Sequence, residues 1–327
     1  MTSLSSVPTS VLSEADIENF LVHGFVHLKN CFDTAPGSVA HRWVEESWLR
    51  NGISPTDRGT WPNDKIHMPA TETMKVRDFS PYAFSAICEL CGGEDRVKGD
   101  ISWGNSFIAN YGFGRDKEWA APSPKAVGWH VDGDTFLHFL DSPEQGLLIV
   151  ALFSDIHPQG GGTFIACDSV QKVVRHLASH PEGTGPFDIP NEELIAQCRD
   201  CRETVGKAGD VFLLHPFILH ASSYNHRPEA RLMINPSVEL CEPMRFDRQS
   251  DGSTYSLVER AVLRALGVEH YDFKPTAPRQ KIIPPRVAQQ MALLAKEKQR
   301  LAELEAEKNK SKGWSPIAFV KRLLHKK

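Results

Sequence analysis

Between residues 101 and 234 the chain breaks into short apolar or alternating runs, each stopped within a few residues by Gly, Pro, Asp or Asn. Runs 106–109, 147–153, 163–166, 211–214 and 231–234 have strand length, and their close spacing predicts a sandwich or jelly roll. One helical insertion is expected near 170–180. The fold class is therefore mainly β (α+β), and no internal repeat interrupts it.

Helical patterns flank this β texture. Ser13 with Asp16 three positions on resembles a capping box, and Ile17, Phe20 and Leu21 follow at helical spacing up to about His23. Residues 25–28 alternate like a strand, 39–49 form an amphipathic helix, and 84–90 look helical. Residues 52–69, with three prolines, two glycines and Trp61, read as a long loop of the kind that lines a site. After a Pro-rich stretch, 287–310 is a long charged helix with Val287, Met291, Leu294, Leu301 and Leu304 on one side. These shifts divide the chain into a flexible start (1–11), one β domain (12–278) and a basic helical tail (279–327).

With 41% hydrophobic and 24% charged residues there is material for a sizeable core, which excludes disorder and fibres. A net charge of −4 gives no reason to expect nucleic acid or an anionic membrane as partner. The longest apolar stretches are far short of the ~20 residues that span a bilayer. The expected partner is a small molecule. Seven cysteines, an odd number, and no basic segment followed by an apolar run at the start read as a reduced, cytoplasmic protein. Charge is uneven: the tail holds 13 Lys/Arg against 4 Glu, a net of +9 that leaves −13 on the body. That tail, with Trp314, Ile317 and Phe319, reads as a solvated helix, a contact for a partner helix or membrane surface, or a cover for the active site.

Gly128-Trp129-His130-Val131-Asp132-Gly133-Asp134 carries the strongest chemical signal. In a strand, residues two apart face the same side, so His130 and Asp132 can present an imidazole and a carboxylate to one point. A second histidine completes the 2-His-1-carboxylate face that leaves open positions on Fe(II) for O2 and a cosubstrate. Residues 209–220 offer His215 and His220, and Arg231 follows in an apolar strand. Such an arginine either lies on an exposed edge or needs a buried anion. A dicarboxylate such as 2-oxoglutarate, chelating metal through its 1-carboxylate and 2-keto oxygen, leaves a far carboxylate for a bidentate guanidinium.

These residues resemble the phytanoyl-CoA hydroxylase (PhyH)-like family of Fe(II)/2-oxoglutarate-dependent dioxygenases over roughly residues 12–238. Residues 13–28 are similar to that family's opening helix and strand, and Trp129-His130-Val131-Asp132 to its metal motif. His215-Pro216 through His220-Ala221-Ser222, with Asn225 and Arg231, resembles its second metal motif. Gly160-Gly161-Gly162-Thr163-Phe164 with Asp168-Ser169 resembles a third segment, though the family's Pro-Gly and His are missing. The resemblance implies a double-stranded β-helix (jelly roll, cupin-like), iron held by His130, Asp132 and His220, and 2-oxoglutarate anchored by Arg231, with O2 as second cosubstrate. It also implies roles for Lys75, in Met74-Lys75-Val76-Arg77-Asp78-Phe79, and for Ser222 in cosubstrate binding. Thr163 reads either as a pocket hydroxyl or as a strand residue.

Pro216 breaks the strand after His215, and only His220 has the spacing to Arg231, so His215 is expected to pack. Cys88-x-x-Cys91 and Cys198-x-x-Cys201 mimic a zinc ribbon but lie about 107 residues apart, and a structural role is expected. Arg115, Lys117 and Lys125 read as loop charges. The implied reaction is oxidation of an unactivated C–H bond with succinate and CO2 as co-products: hydroxylation by default, desaturation or cyclisation where the substrate geometry prevents it. Asp132 disfavours halogenation. The rival readings are a non-catalytic cupin-like metal- or ligand-binding protein and a metal hydrolase, which would have no use for Arg231.

Overall fold

The computed structural model describes residues 10–248 and 251–313. In chain order its elements are α1 (Glu14–His23), β1 (Phe25–Leu28), α2 (Val39–Asn51), β2 (Lys65–His67), β3 (Thr73–Lys75), α3 (Val76–Phe79), α4 (Pro81–Cys91), β4 (Ser102–Gly104), β5 (Ile108–Asn110), β6 (Leu147–Leu152) and β7 (Phe164–Ala166). There follow α5 (Val170–Ala178), α6 (Asn191–Ala196), β8 (Cys201–Glu203), β9 (Val211–Leu214), β10 (His220–Ala221), β11 (Arg231–Ile234), β12 (Ser237–Val238), α7 (Leu257–Leu266) and α8 (Pro285–Gly313). It is a mixed helix-and-sheet fold whose sheets are antiparallel. Among the described residues no helix is long and apolar enough to cross a membrane.

The larger sheet runs β1-β9-β6-β11-β5-β2, with β12 added beside β6, and a smaller one runs β10-β7-β8. All six residues of β6 are buried, so both of its faces are covered. One cover is aromatic: Phe153 lies 4.9 Å from Phe32 and from Phe107, and Trp43 of α2 stacks on Phe79 of α3 at 5.2 Å. Each ring of this size buries about 150–250 Å².

Local chemistry sets the element ends. Ser13 and Asp16 form a complete capping box at the start of α1, and Gly24 ends that helix at φ 75°, a left-handed conformation that favours glycine. Gly24 is also a close approach, because a Cβ there would overlap Val170 at the start of α5. Helices α1 and α5 both pack on α7, and β1 pairs directly with β9.

Several expectations change. Residues 65–67, read as loop, form strand β2, while α7 joins the helical layer unannounced. No strand spans 128–134; a single antiparallel bridge joins His130 to His220. In α8, Met291 and Leu304 are exposed, so the inward face is rotated towards Val287, Leu294, Glu297, Arg300 and Leu301. Arg50 of α2, itself buried, holds that face through its Nε, which donates to Glu297 at 2.8 Å. Trp314, Ile317 and Phe319, and most of the 1–11 start, lie outside the described residues.

Candidate metal centre

His130 and Asp132 sit on a loop that leaves the bridge to β10, and His220 opens β10. The backbone pairing places the two imidazole centroids 4.3 Å apart. Nε2 of His130 stands 3.2 Å from Oδ1 of Asp132, and Nε2 of His220 stands 3.5 Å from the same oxygen. Among the described residues this is a group of three ligand atoms within 4.8 Å of one another.

The opposite ring nitrogens fix what this cluster can hold. Nδ1 of His130 is 2.8 Å from the Gly128 carbonyl and Nδ1 of His220 is 3.2 Å from the Ile218 carbonyl. A carbonyl only accepts, so both Nδ1 atoms carry the proton and each neutral ring turns a lone pair at Nε2 inward. Three acceptors aimed at one point repel unless a cation lies among them. Ligands about 2.1 Å from one ion and at right angles stand about 3 Å apart, close to what is seen, so the residues fit a metal. Without an ion a proton has to serve. Burial opposes charge on His130, yet the Asp132 carboxylate and the Gly128 carbonyl outweigh it and raise the pKa of the ring. Burial likewise opposes ionisation of Asp132, but the two imidazoles hold its carboxyl well below the usual range.

A second polar group lies on the larger sheet. Lys65 of β2 and Arg231 of β11 are both in register with Asn110 of β5, which places the three on one row and one face. Arg231 is 2% exposed; its Nη1 donates to the Ile108 carbonyl at 3.3 Å and its Nε has no partner. Burial pushes its pKa down to about 10, so it stays charged at neutral pH. Burial, then the Arg231 charge, lowers that of Lys65. The Lys65 ammonium donates to Ser222 Oγ at 2.7 Å and lies 4.9 Å from the Phe113 ring centroid. Among the described residues neither cation forms an ion pair with a carboxylate.

Of the expected cosubstrate residues, Ser222 and Arg231 therefore meet at this row. Lys75 does not: its ammonium pairs with Asp100 at 2.8 Å on the surface, in the separate β3-β4 ribbon. Lys65 is the lysine at the row, and sequence reasoning missed it because three strand residues between Pro62 and Pro69 show no period. Thr163 is buried ahead of β7, its carbonyl accepting from Thr204 N–H at 2.9 Å. The three glycines before it have a steric reason, since a Cβ on Gly162 would overlap the Thr204 carbonyl.

His215 packs. It is fully buried, accepts at Nδ1 from the Phe217 N–H at 3.2 Å, and burial pushes its pKa down to about 3. The cysteines of the two Cys-x-x-Cys pairs are free, in separate elements, and burial pushes the thiols of Cys88 and Cys198 up to about 11 and about 12.

A cavity of about 1190 Å³ opens beside His130 and Asp132. His67 and Ile108 line it, as do Lys281, Ile282, Ile283 and Gln290 of the tail. The tail segment is seated by Ile282 N–H donating to the Thr135 carbonyl at 2.7 Å, next to the metal loop. Arg115, Lys117 and Lys125 are not among its lining residues.

No protein-family model matches the chain, and no curated protein matches it. Among solved structures it is similar to HygX from Streptomyces hygroscopicus with nickel and 2-oxoglutarate bound: 14% identity, 75% of this chain and 96% of that one, TM-score 0.41. It is also similar to EctD from S. alaskensis in its apoform (16% identity, 71% and 79%, TM-score 0.42). A third is the epimerase SnoN in complex with Fe3+, alpha ketoglutarate and nogalamycin RO (15% identity, 69% and 82%, TM-score 0.39).

Proposed function

We propose that the chain is a non-haem Fe(II)/2-oxoglutarate-dependent oxygenase of the PhyH-like branch, oxidising a C–H bond of a small-molecule substrate within a double-stranded β-helix domain. The observation that carries this reading is the pairing of two sites: three inward acceptors that need a cation, and a row of cations, half-buried Lys65 and buried Arg231, that needs an anion. A hydrolase or an inert cupin has use for the first and none for the second.

In this reading His130 and His220 give neutral nitrogen ligands, held in one tautomer by the Gly128 and Ile218 carbonyls. Asp132 gives the negative charge, with Asn235 Nδ2 3.4 Å from its other oxygen. Iron bound there supplies oxygen activation coupled to loss of CO2 from 2-oxoglutarate. Arg231 receives the far carboxylate of the cosubstrate with a planar fork, and Lys65 adds a point charge steered by Ser222. The cavity walls position the substrate and limit water. Hydroxylation is the default outcome of such a site.

The test is succinate formation when the full chain is mixed with Fe(II), 2-oxoglutarate and O2. The reading requires iron-dependent succinate, abolished by His220→Ala. Stoichiometric metal binding with no succinate under any substrate would favour the inert cupin.

A further inference from the structure

Asp132 turns its two oxygens to different partners. Oδ1 faces the imidazoles, 3.2 Å from Nε2 of His130 and 3.5 Å from Nε2 of His220. Oδ2 is met at 3.4 Å by Nδ2 of Asn235, a half-buried side chain on the wall of the large cavity. A carboxylate only accepts, so it is the amide nitrogen of Asn235 that points at it.

This contact acts on the turn of the carboxylate and not on the place of the residue. Backbone on both sides of Asp132 is already fixed: His130 and His220 exchange amide hydrogen bonds at 3.0 Å, and His138 Nε2 donates to the Gly133 carbonyl at 2.7 Å. The last torsion of an aspartate stays broad and soft even so, and without a partner for Oδ2 the group rotates about it. Asn235 itself has a rigid seat. Ile234 before it pairs with Ala151 of β6, and the Pro236 carbonyl after it accepts from Ile149 N–H at 2.9 Å. It follows directly on β11, the strand that carries Arg231.

We propose that Asn235 is a positioning residue that keeps Asp132 a one-oxygen ligand, so that the metal retains room for both cosubstrates. The proposal rests on the iron reading of the cluster. Two imidazoles and one carboxylate oxygen leave three positions open on an octahedral ion. A 2-oxoglutarate chelate takes two of them and leaves the third for O2. With Oδ2 turned in as well, the chelate fills the ion and O2 has no position. A hydrogen bond to a charged carboxylate is about twice as strong as a neutral one, enough to bias so soft a torsion. Asn235 also adds no charge, unlike a lysine or arginine, and so leaves the negative charge of Asp132 to the metal.

The test uses the full chain loaded with Mn(II), whose bound waters are counted through the relaxation of water protons; about three are expected. Asn235→Leu, of similar size but without the donor, is expected to lose about a third of that bound water. It is expected to keep its Mn(II) affinity or tighten it up to about threefold, and to bind 2-oxoglutarate about tenfold more weakly. Asn235→Gln, which keeps a donor, is expected to fall between. A merely structural asparagine would lower Tm and Mn(II) affinity together and leave the water count per bound ion unchanged. That result, or a leucine variant equal to the wild type in water count and 2-oxoglutarate affinity, overturns the proposal. Wild-type protein that binds no Mn(II) rejects the metal centre and the proposal with it. Wild-type protein that binds Mn(II) without 2-oxoglutarate rejects the cosubstrate reading, and the water count still decides the role of Asn235.

Discussion

His130 and His220 exchange two backbone hydrogen bonds, each amide donating to the other's carbonyl at 3.0 Å. This pair fastens the metal loop to β10 and sets two imidazoles from distant parts of the chain side by side. The proposed ligand set is thus a product of this backbone pairing, and metal affinity is expected to report folding of the region.

Replacing one ligand removes both affinity and geometry. His130→Ala, Asp132→Ala and His220→Ala are each expected to weaken Fe(II) or Mn(II) binding by at least about 10-fold, the scale on which losses at a metal site fall. His215→Ala is expected to keep the metal and lose about 2–4 kcal/mol of stability through the cavity it leaves. Metal titration with urea denaturation separates the two, and metal loss in His215→Ala alone would reverse the ligand assignment.

The cation row predicts a graded effect on 2-oxoglutarate. Arg231→Lys is expected to weaken its binding about 10-fold or more, since a planar fork becomes a point charge at another place. Lys65→Met is expected to have a smaller effect, and Lys75→Ala to have none, because Lys75 pairs with Asp100 at the surface. Calorimetric titration of the metal-loaded variants checks the order; a Lys75 effect larger than that of Lys65 would contradict it.

The burial of His215 makes a pH prediction. Its pKa is depressed in the folded protein, from about 6.5 unfolded to about 3, so its contribution is complete above the unfolded value and lost as pH falls from there. At pH 5 the unfolded chain gains the proton and the native chain does not, a loss of about 2 kcal/mol. His215→Phe is expected to remove about that much of the difference in stability between pH 7 and pH 5, measured by urea denaturation. An unchanged pH dependence would show that the ring is not held neutral.

Among the described residues helix α8 is fastened to α2 by buried Arg50 and by Arg300, whose Nη1 donates to the Leu49 carbonyl at 3.1 Å. Arg50 donates to Glu297 and to the carbonyls of Asn105 and Pro69. Glu297→Ala leaves its Nε unpaired, with an expected cost of about 1–3 kcal/mol and faster hydrogen exchange in α8. Unaltered Tm and exchange would mean that the helix is held elsewhere.

Much of this was readable in the residues because it is local. The cap of α1, the alternation of β1 and the apolar run of β6 each follow from a few neighbouring side chains. The two histidines and Asp132 were legible from their motif, although the reason is a bridge and a loop rather than a strand. Lys65 was not legible. Its place depends on pairing with Asn110, a long-range register that three residues between prolines do not announce, so the role fell to Lys75. The shift of the α8 face has a similar cause: its apolar residues fit two faces, and the buried Arg50 selects the one that carries Glu297.

The central claim joins the three-ligand cluster to the Lys65–Arg231 row. Its most direct test is anaerobic calorimetric titration of 2-oxoglutarate into the full chain, with and without Fe(II), beside the same titration of Arg231→Lys. The account predicts tight binding that requires Fe(II) and is about 10-fold weaker or worse in the variant. Binding that is indifferent to both the metal and Arg231 would contradict it.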